Sequence, residues 1–130
     1  MKKFLVILSL FMIFISQCIF EVSASSSSTE QYAYPISFTV GSGGKANVSV
    51  ICETDKTNEK ILFDSWGNYS VSLNQGYSIT LNSRSYQNAD NKIKITCKFT
   101  TFNFNSHESQ TYTLTKTITY KDVSSYHNFG

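Results

Sequence analysis

The stretch Lys92-Ile93-Lys94-Ile95-Thr96-Cys97-Lys98-Phe99 decides the fold class. Apolar and polar residues alternate with a period of two, so successive side chains point to opposite sides of an extended chain. One side is Ile, Ile, Cys and Phe. The other is Lys, Lys, Thr and Lys. This predicts a strand with one face in a core and one in water, as in antiparallel sheets with a solvated side.

The same period recurs outward from this stretch. Ala46, Val48, Val50 and Cys52 alternate with Asn47, Ser49 and Ile51. Tyr69, Val71 and Leu73 alternate with Ser70, Ser72 and Asn74, and Tyr77, Ile79 and Leu81 with Ser78, Thr80 and Asn82. Tyr112, Leu114, Ile118 and Tyr120 are interleaved with Thr111, Thr113, Thr115, Thr117 and Thr119. The residue types are those that favour strands. Gly41-Ser42-Gly43-Gly44 breaks one pair of strands, and Asn74-Gln75-Gly76 reads as a hairpin turn. Gln87 to Asn91 and Asn103 to Gln110 read as polar loops. About seven strands and no helix are expected, in an all-β antiparallel β-sandwich.

The front of the chain has a different character. Lys2 and Lys3 precede an almost wholly apolar run from Phe4 to Phe20, and Val22-Ser23-Ala24 follows with small residues where a signal peptidase reads. This is the layout of a secretory signal peptide, cleaved after Ala24. The expected organisation is a signal peptide over 1–24, a flexible lead over 25–33, a β-sandwich domain over 34–122 and a tail over 123–130. The mature protein then has no membrane span, is secreted, and is one domain in size.

Charge narrows the partners. The formal net charge is +2, and loss of Lys2, Lys3 and Glu21 leaves a mature chain at about +1. That balance argues against nucleic acid held by phosphate contacts. Two cysteines survive processing, Cys52 and Cys97, and an even count in an exported chain suggests one disulfide, worth roughly 4 kcal/mol for a loop of this length. Both alternate onto the apolar face of their strands. Two cysteines with the scattered His107 and His127 make no metal cluster, and no cofactor is expected. Asn47-Val48-Ser49 and Asn68-Tyr69-Ser70 are N-glycosylation sequons.

No catalytic constellation stands out. His107 and His127 fall in a loop and the tail, away from any marked nucleophile. Glu53, Asp55 and Glu59 belong to a Lys-containing turn, where a solvated role outweighs acid–base work. Lys92, Lys94 and Lys98 form a basic stripe on one strand face. It reads as a solvated face that blocks edge pairing, or as a docking stripe for an anionic surface or glycan. Phe102 and Phe104 are expected in the core, with a capped binding edge as the other reading.

The segment Lys45 to Ser72 contains Gly44-Lys45-Ala46-Asn47-Val48 just before it and at its start, then Glu53-Thr54-Asp55 and Asp64-Ser65-Trp66-Gly67-Asn68-Tyr69. It resembles the nematode transthyretin-like family of small secreted proteins. Lys92-Ile93-Lys94-Ile95-Thr96-Cys97 and Thr117-Ile118-Thr119-Tyr120 look like later strands of that family. The resemblance implies a transthyretin or prealbumin-like sandwich, extracellular and non-enzymatic, binding an extracellular protein, glycan, lipid or small hydrophobic ligand. It also implies a structural turn in which Asp64 accepts backbone N–H bonds, Gly67 takes positive φ and Tyr69 starts the next strand. Phe38-Thr39-Val40 stands where the family has an early cysteine, so its disulfide pattern does not carry over. The alternative is an immunoglobulin-like adhesion or host-interaction module. Cys52, Trp66 and Cys97 come in that fold's order, which would put Trp66 against a Cys52–Cys97 bridge.

Overall fold

A computed structural model describes residues 29–129. The expected signal peptide and Ser25–Ser28 lie outside the described residues. Six long strands and one short helix are present: β1 (Thr29–Thr39), β2 (Gly44–Asp55), β3 (Lys60–Leu73), β4 (Tyr77–Ala89), β5 (Lys92–Asn103), β6 (Glu108–Thr119) and α1 (Tyr120–His127). The first three strands form one antiparallel sheet in the order β1-β2-β3, and the last three form another in the order β4-β5-β6. Each sheet is therefore a meander of consecutive strands.

Alternation builds both middle strands. β2 sends Ala46, Val48, Val50 and Cys52 inward, all fully buried, and β5 sends Ile93, Ile95, Cys97 and Phe99. These faces meet across the core with Ile36, Phe38, Val40, Ile61, Ile118 and Val123. The Phe38 and Phe99 rings lie 5.7 Å apart and bridge the two sheets. Burying the larger of these side chains contributes roughly 1.5–3 kcal/mol each.

Between β1 and β2, Gly44 has φ 129, and a Cβ there would stand 2.1 Å from the Ser72 carbonyl oxygen, so only glycine fits. The β4–β5 connection is a two-residue hairpin, with Asp90 and Asn91 both at positive φ, rather than a loop over Gln87–Asn91. The next connection tightens to residues 104–107, because Asn103 Oδ1 accepts the Asn105 and Ser106 amides. Asn74-Gln75-Gly76 does turn the chain, but it carries it from one sheet to the other instead of closing a hairpin.

Three further expectations are corrected. Six strands replace about seven among the described residues. Thr29–Ala33 is not a flexible lead; it pairs with Ile51–Asp55 as the start of β1. The tail is a helix, opened by a capping box in which Thr119 Oγ1 accepts the Asp122 amide and the Asp122 carboxylate accepts the Thr119 amide. Val123 anchors that helix in the core.

Candidate functional site on the outer face of the second sheet

Lys92, Lys94 and Lys98 alternate with the buried Ile93, Ile95, Cys97 and Phe99, so all three are exposed on the outer face of β5. They span roughly 20 Å at about 3.3 Å per residue. β5 is the middle strand of its sheet, which corrects one of the two sequence readings: lysines here guard no edge. Register sets their neighbours. Lys92 lies between Ala89 and Thr119, Lys94 between Gln87 and Thr117, and Lys98 between Ser83 and Thr113. The face thus carries three ammonium groups in a field of hydroxyls and amides, with no carboxylate among its cross-strand partners.

The hydroxyls are ordered by one another. Thr96 and Thr115 Oγ1 atoms lie 3.3 Å apart, Thr100 and Thr111 3.4 Å apart, and Asn82 Nδ2 donates to Thr100 Oγ1 at 2.5 Å. Among the described residues the one ion pair is Lys56 with Glu30, at 3.9 Å, on the other sheet's side of the molecule. The stripe lysines are therefore free to meet an external anion.

Phe102 ends the same face, opposite Ser78 and Ser109, and its ring packs edge-on against Phe104 at 5.1 Å. Phe104 is 55% exposed. The two rings are thus outside the core, contrary to expectation, because alternation runs unbroken through the buried Thr101 and leaves Phe102 on the lysine side of β5. His107 lies 6.3 Å from the Phe102 ring. The signal in the sequence that joins Phe102 to the lysines is parity, since Lys92, Lys94, Lys98 and Phe102 all stand at even positions of one strand.

The other candidates fall elsewhere. Asp64, Gly67 and Tyr69 form no turn. They lie within β3, where register shifts opposite Ser49 and between Ile51 and Cys52 mark bulges. Gly67 has no positive φ; a Cβ there would press on Ser49 at 2.9 Å, so glycine serves close approach of the bulged strands. Asp64 accepts from the neighbouring Ser65 hydroxyl.

Cys52 and Cys97 are separate, buried thiols rather than a disulfide. Gly43 faces Thr101 at one end of the sheets, while Ile61, opposite Thr54, bonds Asn91 at the other. That antiparallel alignment sets Cys52 level with Ile93, and Cys97 about four residues away, far beyond the 7 Å limit for a bridge. Burial pushes the Cys52 thiol up to about 12 and raises Cys97 as well. Trp66 does not touch such a bridge either. It packs edge-on against Phe63 at 4.8 Å, with the Arg84 guanidinium 4.8 Å from its ring.

The two sequons are brought side by side. Val48 pairs with Tyr69 and Asn47 with Ser70, so Asn47 and Asn68 are diagonal neighbours on the exposed outer face of the first sheet. They therefore occupy the face opposite the lysines. Asp55 is the cap of the β2–β3 turn, where bonds from Asn58 hold its carboxyl below the usual range; this is a structural role rather than acid–base chemistry. An open polar cleft of about 90 Å³ lies between the sheets' ends, lined by Ser42, Tyr77, Thr101 and Glu108 among others. Comparison with protein-family models, with curated proteins and with solved structures gave no match.

Proposed function

We propose that the chain is a secreted, non-enzymatic binding protein that holds an anionic polysaccharide, bearing sulfate or carboxylate groups, on the outer face of β4-β5-β6. The observation that carries this reading is one face combining three unpaired ammonium groups, a hydroxyl lattice and a terminal aromatic pair. Ammonium groups attract the anions, hydroxyls and amides match sugar hydroxyls, and the Phe102 ring offers an apolar surface to a pyranose. A flat, wet surface suits an extended chain better than a small apolar ligand, for which a concave apolar pocket would be needed.

Export to the extracellular space is supported by the apolar stretch before Ser25 and by the paired sequons, each proposed to carry a glycan. Kinship with the transthyretin-like family is part of this proposal and is supported by the Gly44–Val48 and Lys92–Cys97 segments. The immunoglobulin-like alternative has lost its two supports, the bridge and a Trp66 packed on it.

The test is retention of the mature chain on heparin and on polygalacturonate across a salt series. Replacing Lys92, Lys94 and Lys98 by Gln is expected to abolish retention and to remove a salt slope of roughly one per lysine. Retention unchanged in the triple variant, or binding only to anionic vesicles, would overturn the reading.

A further inference from the structure

At the end of the second sheet nearest Gly43, the inward row changes character. β5 sends Ile93, Ile95, Cys97 and Phe99 into the core and then, on the same parity, Thr101 and Asn103. Their cross-strand partners share that face: Thr101 stands between Ile79 and Gln110, and Asn103 between Tyr77 and Glu108. Tyr112, opposite Phe99, completes the row on β6. A face that is apolar along the core thus ends in polar side chains, and these line the cleft of about 90 Å³.

The walls of the cleft are held in place. Asn103 Nδ2 donates to the Tyr77 hydroxyl at 3.1 Å, while Asn103 Oδ1 accepts the Asn105 and Ser106 amides. Tyr112 donates its hydroxyl proton to Gln110 Oε1 at 2.5 Å. From the first sheet, the Gly41–Gly43 turn comes so close that a Cβ on Gly41 would stand 2.2 Å from the Tyr112 hydroxyl, and one on Gly43 2.8 Å from Thr101. Asn74 Nδ2 pins that turn by donating to the Ser42 carbonyl oxygen at 2.9 Å. The groups these bonds leave over are specific. Among the described residues, Gln110 Nε2 keeps two donor hydrogens, Tyr77 keeps its hydroxyl proton, and Glu108, in no ion pair, can only accept.

We propose that this cleft binds one uncharged pyranose, such as the end residue of a glycan. Each sugar hydroxyl both donates and accepts, which matches fixed donors set beside a carboxylate, and bonds to the carboxylate are charge-assisted. Tyr77 and Tyr112, from the strands on either side of β5, offer aromatic carbon to the C–H face of the sugar. Charge sets the selectivity. Among the described residues the lining has one carboxylate and no Lys or Arg, so an anionic sugar would meet repulsion with nothing to offset it. Size fits one ring rather than a chain. A water takes about 10–15 Å³ of such space, so the cleft holds on the order of seven, a volume that a ring lying partly inside would displace. The site therefore selects against the anions proposed for the lysine face, and it uses none of that face's lysines.

Amide chemical shifts of the mature chain, titrated with the methyl glycosides of glucose, galactose, mannose and N-acetylglucosamine, test it. At least one glycoside is expected to saturate in the millimolar range, with shifts at Thr101, Gln110 and Tyr112. Glucuronate should bind at least tenfold more weakly, and Glu108→Gln should narrow that gap. Gln110→Ala should weaken the neutral sugar at least tenfold. Gln110 is exposed, so its truncation leaves the core intact, and unchanged shifts over Ile93–Cys97 would show that. Replacing Lys92, Lys94 and Lys98 by Gln should leave binding of the neutral sugar unchanged, so a failure here is distinct from a failure of the lysine face. Saturation by none of the four glycosides, glucuronate bound as tightly as they are, or binding indifferent to Gln110→Ala would overturn the proposal.

Discussion

The imidazole of His127 hydrogen bonds the backbone carbonyl oxygen of Ala33 through Nε2, 2.6 Å away, and so fastens the end of the described chain to its first strand. The His127 ring also lies 4.8 Å from Tyr32, which is 4.5 Å from Phe129. The Lys56 ammonium sits 4.7 Å from the Phe129 ring. The C-terminal segment is thereby a structural part of the domain.

Its removal should cost stability. Truncation after Thr119 deletes the buried Val123 and uncovers β1, and a loss of about 3 kcal/mol or more is expected in urea unfolding. Thr119→Ala, which removes only one side of the capping box, should cost about 1 kcal/mol. Equal effects of the two changes would show that the helix contributes little beyond its cap.

The thiols give a chemical test. Native protein should resist alkylation at Cys52 and Cys97, because both are buried and held in the protonated form. In denaturant without reductant, both should be alkylated, as measured by intact mass. A denatured chain that takes no label until reduced would mean that the bridge exists after all.

The same burial makes an alkaline prediction. In the unfolded chain the Cys52 thiol loses its proton near 9.0, whereas in the fold it holds it to about 12. Above pH 9 the unfolded state therefore binds fewer protons, and stability falls as pH rises through 9 to 12. Cys97 adds to the fall in the same direction. Thermal unfolding in that window should slope downward, and Cys52→Ala should flatten the slope even though it lowers the starting stability.

Gly44→Ala probes the first turn. The added Cβ would collide with backbone and hold alanine at a φ of 129, so a cost of about 3 kcal/mol or more is expected by chemical denaturation. A change within about 0.5 kcal/mol would mean that the β1–β2 turn can rearrange.

Glycan occupancy can be read by mass. Produced in a glycosylating host, the chain is expected to lose one glycan with Asn47→Gln and another with Asn68→Gln. Because both asparagines lie on the first sheet's outer face, neither change should weaken polysaccharide retention by the second sheet. Weakened retention in either variant would contradict that separation.

Much of the fold was readable because each middle strand has one wet side. β2 and β5 are flanked on both edges, so burial depended on parity alone, and parity is visible in residue order. β3 was misread because its bulges break parity around Gly67, and an Asp-x-x-Gly-x-Tyr spacing fits a turn as well as a bulged strand. α1 was missed because eight residues, Tyr120 to His127, are too few to show a helical period; Thr119 and Asp122, the capping pair, were the visible cue. The disulfide was misjudged because sequence shows which face a cysteine takes but not its level along the strand. The lysine stripe was found, yet its position on a middle strand depends on which strands pair, and nothing local encodes that.

The order of the strands has a consequence for how the chain matures. Everything in the first sheet lies before Asn74, and everything in the second lies after Gly76. Strand partners are thus sequence neighbours, and the entropy of closing long loops is largely avoided. A nascent chain emerging N-terminus first can zip its first three strands together before the last three exist, leaving that half-built sheet to wait, inner face bare, for its counterpart.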